Sequence, residues 1–323
     1  MTTSATTAGT PRNGLFIEVA GQRLVHFISG LLIPTLAIVL FLGLWGLGAR
    51  NVQTSLGQLP GPVKVWGQVI ALYQEHQAER QKEAAFYQRQ AERNTAQVQG
   101  RKYTGKPTFA DQILTSLITV ATGFILASLI AIPLGILCGM SATLYQAMNP
   151  LIQVFKPVSP LAWLPLVTLV VSALYTSDNP AIPKSFLNSA ITVTLCCLWP
   201  TIINTTVGVA GVSKDLINVS RVLRLGWLTR VVRIVLPSAI PLMFTGLRLS
   251  LGIGWMVLIA AEMLAQNPGL GKFVWDEFQN GSSDSLARIM VAVLVIGFIG
   301  FLLDQAMLVF QRRVSWDKGA VLR

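Results

Sequence analysis

Charged residues are scarce in this sequence. Only 12% of its 323 residues are Asp, Glu, Lys or Arg, whereas soluble proteins usually carry about 25%. So little charge cannot solvate a globule of 35.0 kDa, and this excludes an ordinary water-soluble fold. Because 52% of the residues are hydrophobic, we infer that lipid is the second solvent of this chain.

Acidic residues are scarcer than basic ones, with 14 Asp and Glu against 25 Lys and Arg. The resulting net charge of +11 would suggest a nucleic-acid partner in a soluble protein. In a membrane protein, the same excess indicates Lys and Arg retained on the cytoplasmic side. We therefore expect membrane lipid, and no nucleic acid, as a partner.

Cysteine is also rare. The three cysteines, Cys138, Cys196 and Cys197, all lie in apolar runs, and their spacing fits neither a disulfide framework nor a zinc site. We expect them to be small buried hydrophobic residues, and we expect no metal site. A signal peptide is excluded as well, because the first apolar run begins only near Phe27 and is too long for one.

Six apolar runs are long enough to cross about 30 Å of hydrocarbon. The predicted spans are residues 27–49, 113–140, 151–175, 186–212, 242–264 and 287–310. They predict an all-α integral membrane protein with a transmembrane core at 112–310. Pro157, Pro160 and Pro165 interrupt the third span, which we expect to be kinked or discontinuous.

A polar insertion, residues 50–111, follows the first span. Its Leu59-Pro60-Gly61-Pro62 stretch is typical of a turn. The charges that follow are spaced three or four residues apart and predict a solvated helix. They are Glu75, Glu79, Arg80, Lys82 and Glu83.

The distribution of basic residues predicts the orientation. With a cytoplasmic N-terminal tail (1–26), six spans also place the loop 213–237 and the basic tail 311–323 in the cytoplasm. These segments hold eleven Lys and Arg residues, against Lys184 and Lys272 in the two short external loops. The 50–111 insertion then lies on the external, periplasmic side.

The loop 213–237 is amphipathic and basic. Leu216, Val219, Leu223 and Trp227 share an apolar stripe, a turn is predicted near Gly226, and a second basic helix precedes Pro237. The pattern allows two interpretations. Such a helix can dock into a groove of a partner protein, or it can lie on the membrane surface with its Arg residues at anionic headgroups.

This loop resembles the coupling loop of ABC importer permeases, whose pattern is Glu-Ala-Ala, three residues, Gly, nine residues, Ile-x-Leu-Pro. Here Asn218-Val219-Ser220 stands for Glu-Ala-Ala, and Arg224 stands for the glycine. Only the end of the pattern is retained. The matching loop residues are Asn218, Val219, Ser220, Arg221, Arg224, Gly226, Ile234, Leu236 and Pro237.

Three further stretches extend the resemblance. Residues 156–166 (KPVSPLAWLPL), and 246–252 with Trp255 and 261–264, resemble the third and fifth spans of permeases for nitrate, sulfonates and taurine. Residues 271–278 resemble the nitrate/nitrite/cyanate/bicarbonate family, of the cyanobacterial nitrate type. The resemblance implies a type I ABC importer permease fold in the inner membrane. It also implies a division of labour, in which two ATP-binding cassette subunits bind ATP and Mg, a periplasmic binding protein delivers the solute, and a second permease copy, as a homodimer, completes the path.

The sequence contains no Walker A loop. Gly269-Leu270-Gly271-Lys272 is too short and lacks the hydroxyl residue. We therefore expect no catalytic residues, no cofactor bound by this chain, and no ATP hydrolysis by it.

Ionisable residues inside spans are candidates for the translocation path. Arg248 could attract a planar oxyanion, or it could pair with a carboxylate and fasten helices. For Glu262 and Asp304, we expect structural roles instead. Trp163, Trp255 and Met256 could form apolar gates, although packing is their ordinary role.

The resemblance favours nitrate import, with nitrite as a further substrate. Bicarbonate import by the same machinery is the alternative, because both anions are small, planar and singly charged. Two other classes stay open: an ATP-independent secondary transporter or channel, and a scaffold that uses the basic loop only for docking.

Overall fold

The computed structural model of the chain describes residues 12–54, 57–93, 102–176, 182–282 and 284–314. Within them, five helices are long and apolar enough to cross a membrane, and two further helices joined at a sharp bend could form a sixth span. This confirms the predicted all-α membrane fold. Parts of the predicted tails, residues 1–11 and 315–323, lie outside the described residues.

The helices, in chain order, are α1 (Arg12–Asn51), α2 (Pro62–Arg93), α3 (Phe109–Met140), α4 (Ala142–Phe155), α5 (Pro160–Leu174), α6 (Lys184–Ala210), α7 (Lys214–Val222), α8 (Trp227–Arg230), α9 (Leu236–Ala265), α10 (Leu270–Asn280) and α11 (Ser285–Val314). A π-helical turn, Val231–Val235, joins α8 to α9. The chain divides into two compact units, with the boundary between Trp66 and Gly67.

The first unit contains the first membrane helix. Helix α1 begins at Arg12, well before the predicted start of the span at residue 27, and it continues through Pro34 to Asn51. Only 6% of its most apolar window is buried, so its sides are free to contact lipid. Two short strands, β1 (Gln53–Thr54) and β2 (Gly57–Gln58), pair antiparallel after it.

Helix α2 confirms the predicted polar helix of the insertion. Its surface carries the expected short-range ion pairs, Arg80 with Glu83 at 2.6 Å and Lys82 with Glu79 at 3.3 Å. The Tyr103 hydroxyl donates to Glu79 at 2.7 Å, and this hydrogen bond lowers the pKa of Glu79 and raises that of Tyr103.

From Gly67 onward, helix α2 belongs to the second unit and is tied to the membrane helices of that unit. Arg80 bonds Asp111 at the start of α3, at 2.9 Å. Arg288, in the first turn of α11, bonds both Glu75 of α2 and Glu277 of α10. This part of α2 is therefore anchored on the ends of α3, α10 and α11 that are predicted to face outward.

The packing of α3 against α6 depends on small residues. Every fourth residue along one face of α3 is Gly or Ala. Gly123, Ala127, Ala131 and Gly135 are buried, and Gly139 is partly buried. A Cβ at Gly135 would lie 2.6 Å from Thr205 Cβ of α6, and one at Gly139 would lie 2.5 Å from Val209 Cβ. Small residues allow this close approach, which stabilises helix pairs in lipid through van der Waals contact.

Helix α6 packs with its opposite side against α9. The Ser250 hydroxyl donates to the Cys197 carbonyl at 2.7 Å, and the Cys197 thiol donates to the Ser250 carbonyl at 3.2 Å. All three cysteines are buried and free, as expected. Helix α9 also contacts α3, α5, α10 and α11, which makes it the central helix of the second unit.

The third predicted span is discontinuous. Helix α4 ends at Phe155, α5 begins at Pro160, and the two are bent by 101°. Ser159 caps α5 by accepting from the Leu161 N–H. The break falls at Pro157 and Pro160, because neither proline can donate a backbone hydrogen bond to a continuing helix.

Candidate coupling loop and translocation path

The predicted coupling loop begins with a short amphipathic helix. Helix α7 starts after Ser213, whose hydroxyl accepts from the Leu216 N–H at 3.4 Å, and it has an acidic residue in its first turn and a basic one in its last. Both features stabilise a helix of this length. Its buried side holds Ser220 and the partly buried Ile217.

The other side of α7 is apolar and exposed. Val222 is 81% exposed and Leu223 is 63% exposed, and the stripe continues onto α8. Its members are Leu216, Val219, Val222, Leu223, Trp227 and Leu228. An apolar stripe of this extent, flanked by the exposed Arg221 and Arg224, is typical of a surface that a partner covers.

The turn after α7 has the hydrogen bonds of a Schellman motif. The Leu225 N–H bonds the Ser220 carbonyl and the Arg224 N–H bonds the Arg221 carbonyl, both at 3.0 Å. Arg224 has a φ of 48°, in the left-handed region that favours glycine. The predicted turn near Gly226 is confirmed in place, but Arg224 is the residue that needs the positive φ, and it stands where the resembling family has glycine.

The end of the loop is built into the core. The Leu236 N–H bonds the Val231 carbonyl across the π turn, and this wider turn accommodates Pro237, which has no N–H. Ile217, Ile234 and Leu236 pack against an apolar cluster of α6 and α9 residues. Residues 227–265 form one helix of 39 residues, so α9 is continuous with the end of the loop.

Arg248 lies on α9, and Asp304 of α11 engages its guanidinium. Nε and an Nη atom both bond Oδ1, at 3.0 and 2.9 Å, and the same Nη bonds Oδ2 at 2.9 Å. Such multiple bonding fixes the planar guanidinium against the carboxylate. The pair joins α9 to α11 and carries no net charge. A place for Arg248 in the translocation path stays a prediction.

Glu262, near the other end of α9, is fully buried. Both of its oxygens accept from the Ser116 hydroxyl of α3, at 2.9 and 2.8 Å, and Oε2 accepts from the Gly271 N–H at 3.0 Å. Ser116 in turn accepts from the Leu270 N–H at 2.8 Å. The carboxylate therefore caps the start of α10 and holds α3, α9 and α10 together.

Two glycines make this arrangement possible. A Cβ at Gly269 would lie 2.1 Å from Glu262 Oε1, and one at Gly271 would lie 2.1 Å from the Ile259 carbonyl oxygen. Gly269 therefore allows the backbone to approach the Glu262 carboxylate closely, and Gly271 allows the start of α10 to approach the backbone of α9. The spacing between Glu262 and the Gly269-x-Gly271 pair is the feature of the sequence that could have indicated this cap.

The aromatic and methionine candidates occupy different surroundings. Trp255 is buried and its indole N–H donates to the Ile296 carbonyl at 3.0 Å, whereas Met256 is 74% exposed. Trp163 of α5 lies 5.8 Å from Phe155 of α4 by ring centroids. The structure thus places Arg248, Trp255, Met256 and Glu262 along one helix, with Trp163 at the break of the third span.

The chain has recognisable relatives. Residues 131–316 match the family described as "Binding-protein-dependent transport system inner membrane component". The chain is 37% identical over 207 residues to the nitrate import permease protein NrtB of Leptolyngbya laminosa, covering 64% of this chain and 69% of that protein. It is 32% identical over 297 residues to the bicarbonate transport system permease protein CmpB of Synechococcus elongatus, covering 92% and 91%.

A solved structure shares the fold. The inward-facing MetNI methionine ABC transporter superposes with a TM-score of 0.55 and 14% identity, over 64% of this chain and 96% of that one. Together with the family match over more than half of the chain, this confirms the expected fold and the resemblance. The protein belongs to the family of inner membrane components of binding-protein-dependent transport systems, the permeases of ABC importers.

Proposed function

We propose that the chain forms the membrane path of an ATP-driven importer for nitrate, with nitrite as a further substrate. The observation that carries the transport mechanism is the exposed apolar stripe of α7 and α8 at the head of the 39-residue helix that ends in α9. The solute follows from the relative NrtB, which is named as a nitrate permease.

The α7 stripe would dock on an ATP-binding cassette subunit. Its apolar residues fit a groove, and Arg221 and Arg224 would meet an acidic rim. Closure of the ATPases on ATP and Mg would move α7, and the packed residues Ile217 and Ile234 would pass the movement to α6 and α9. This is a rigid-body transition between two arrangements of packed helices.

The remaining partners follow from the same machinery. A second permease copy would complete the path, and the exposed face of α9, which includes Leu249, Ile253 and Met256, supports such a contact. A periplasmic binding protein would deliver the anion to the outward side, where α2 is anchored. Both chain termini then lie in the cytoplasm.

Bicarbonate is the second candidate solute. One specific observation favours it: the match to CmpB extends over 92% of this chain, against 64% for NrtB of Leptolyngbya laminosa. Over aligned stretches of similar length, the identity is 40% with the NrtB of Synechocystis sp. and 38% with the CmpB of the same organism, and for this reason nitrate is the first proposal.

The test is a reconstitution. The chain, its ATPase subunits and its binding protein are placed in liposomes, and ATPase activity and anion uptake are measured with the binding protein loaded with nitrate or with bicarbonate. Stimulation by nitrate alone supports the proposal, and stimulation by bicarbonate alone selects the second candidate. Flux without ATP from the permease alone indicates a channel or secondary transporter, and an inert assembled complex indicates a scaffold.

A further inference from the structure

The break between α4 and α5 falls within a candidate membrane span that the two helices form only as a pair. Helix α4 has 14 residues and α5 has 15, so each is roughly 22 Å long and shorter than the hydrocarbon layer of about 30 Å. In a broken span and in a re-entrant loop alike, the corner between the two helices lies inside the bilayer. The polar residues of the corner therefore need water, a partner or a ligand.

The packing of the corner gives its level in the bundle. Ile152 of α4 packs with Ala131 of α3 and Ile202 of α6. These residues lie nine and eight positions from the ends of their helices at Met140 and Ala210, or about 12–14 Å along the helix axis. Phe155 also stacks on Trp199 of α6, with ring centroids 5.9 Å apart.

Lys156 directly follows Phe155 at this corner, and it is exposed. None of the ion pairs formed by the described residues includes it. The start of α5 offers no competing anion site, because Ser159 already accepts from the N–H groups of Leu161, Ala162 and Trp163. The corner thus contributes one uncompensated cation.

Arg248 lies in the same layer but differs in charge balance. Its neighbours along α9 contact α6 next to Trp199. A Cβ at Gly246 would lie 3.1 Å from the Pro200 carbonyl oxygen, and the Ser250 hydroxyl donates to the Cys197 carbonyl. Asp304 neutralises Arg248. The layer therefore holds two basic side chains, of which only Lys156 has a positive charge left for another ion.

A lone ammonium at membrane depth is costly unless it contacts water or an anion. In the proposed importer, the solute is a small oxyanion that must cross this layer, and a cation lowers the cost of its partial dehydration. The aromatic rings of Phe155, Trp163 and Trp199 lie beside the corner and would limit the space around the anion.

We propose that Lys156, at the corner between α4 and α5, is the residue that contacts the translocated oxyanion, and that Arg248 instead fastens α9 to α11 through Asp304. This inference rests on the proposed function for the identity of the ion. The alternative source of an oxyanion is a lipid phosphate, which Lys156 would reach only if the corner faced lipid.

The first experiment asks whether position 156 lies in an aqueous path. Lys156→Cys is made in the assembled complex and treated with a negatively charged, membrane-impermeant thiol reagent. The wild-type chain is the background, since its three cysteines are buried, and Lys184→Cys at the exposed start of α6 is the positive control. We expect modification at position 156. In variants that keep Lys156 and carry a cysteine at a neighbouring position, we expect a negatively charged reagent to react faster than a positively charged one. No modification at position 156 overturns the inference.

The second experiment measures anion uptake by the complete transporter. Lys156→Gln is expected to lower uptake about tenfold or more, while Lys156→Arg, which keeps the charge, restores most of it. Lys184→Gln removes a matched positive charge outside the path and is expected to leave uptake unchanged. Arg248→Gln, which leaves Asp304 unpaired, is expected to lower thermal stability, whereas Lys156→Gln does not.

The outcomes separate this inference from the proposed function. If the Lys156→Gln variant takes up the anion at the wild-type rate, the proposed role of Lys156 is overturned and the proposed importer function stands. The same result is expected if the Lys156 side chain contacts only lipid phosphate. A wild-type complex that takes up neither anion overturns the proposed function. The thiol reaction at position 156 then still decides whether Lys156 lines an aqueous path.

Discussion

The two ends of the long helix that contains α9 differ in how completely this chain satisfies them. At the end predicted to face outward, Glu262, Ser116 and the backbone of Gly271 bond one another and leave no side of the carboxylate open. At the end predicted to face the cytoplasm, α7 exposes an apolar stripe and Arg224 holds a left-handed conformation. The Glu262 end, whose polar groups are bonded within the chain, is here called the finished end, and it suits a fixed pivot. The α7 end, with its exposed apolar stripe, is here called the unfinished end, and it suits a surface that a partner covers.

The largest effect is expected at the finished end. Gly271→Ala would place a Cβ 2.1 Å from the Ile259 carbonyl oxygen, and because backbone cannot yield cheaply, we expect a loss of about 3–4 kcal/mol of stability. Thermal unfolding in detergent measures it. Gly252→Ala on α9 is the matched control, since nothing lies within 4 Å of its Cβ position, and equal stability of the two variants would contradict the close approach.

Glu262→Gln is the next largest change. The amide keeps the shape but replaces one acceptor oxygen with an NH₂ donor, which faces the donors of Ser116 or Gly271. We expect a loss of about 2 kcal/mol, again by thermal unfolding. Asp276→Asn serves as the control, because its pair with Lys272 is exposed. A Glu262→Gln chain as stable as the wild type would show that the cap contributes little.

At the unfinished end, the turn residue provides a test of opposite sign. Arg224→Gly should stabilise the chain by about 1 kcal/mol, because glycine adopts the φ of 48° without strain. Arg221→Gly removes the same charge from within α7 and should destabilise it by about 1 kcal/mol. If both changes shift the unfolding temperature in the same direction, the left-handed turn is not what sets the sign.

The smallest effect on the isolated chain is expected for Val222→Ser. Val222 is 81% exposed, so its replacement should change stability by less than about 0.5 kcal/mol. The same change should weaken co-purification of the ATPase subunits, because the apolar stripe is then interrupted. Val207→Ser, exposed on α6 outside the loop, is the control, and undiminished ATPase binding by Val222→Ser would argue against docking on this stripe.

Much of the architecture was predictable because long apolar runs have few alternatives in lipid. A run of about twenty such residues must form a helix, since every backbone group needs an internal hydrogen bond. The break at Pro157 and Pro160 was predictable for the same reason, because proline cannot donate that bond. The amphipathic character of α7 followed from the periodicity of Leu216, Val219 and Leu223.

The site residues were harder to rank from the sequence. Arg248 attracted attention as a charge inside a span, but its partner Asp304 lies 56 positions away on another helix. Lys156 was noted only as part of a motif, because its exposure and lack of an ion pair depend on where α4 and α5 bend. The small residues of α3 repeat every four positions, but only the contacts with Thr205 and Val209 show which helix they meet.

The sequence by itself determined the solvent of this chain, the approximate positions of its apolar spans, and the family resemblance of its coupling loop, because these depend on local composition and spacing. Only the tertiary structure decided which charges are paired, which face of α7 is open, and that Glu262 caps the start of α10. Those properties arise from distances between residues far apart in the chain, and local pattern carries no information on such distances.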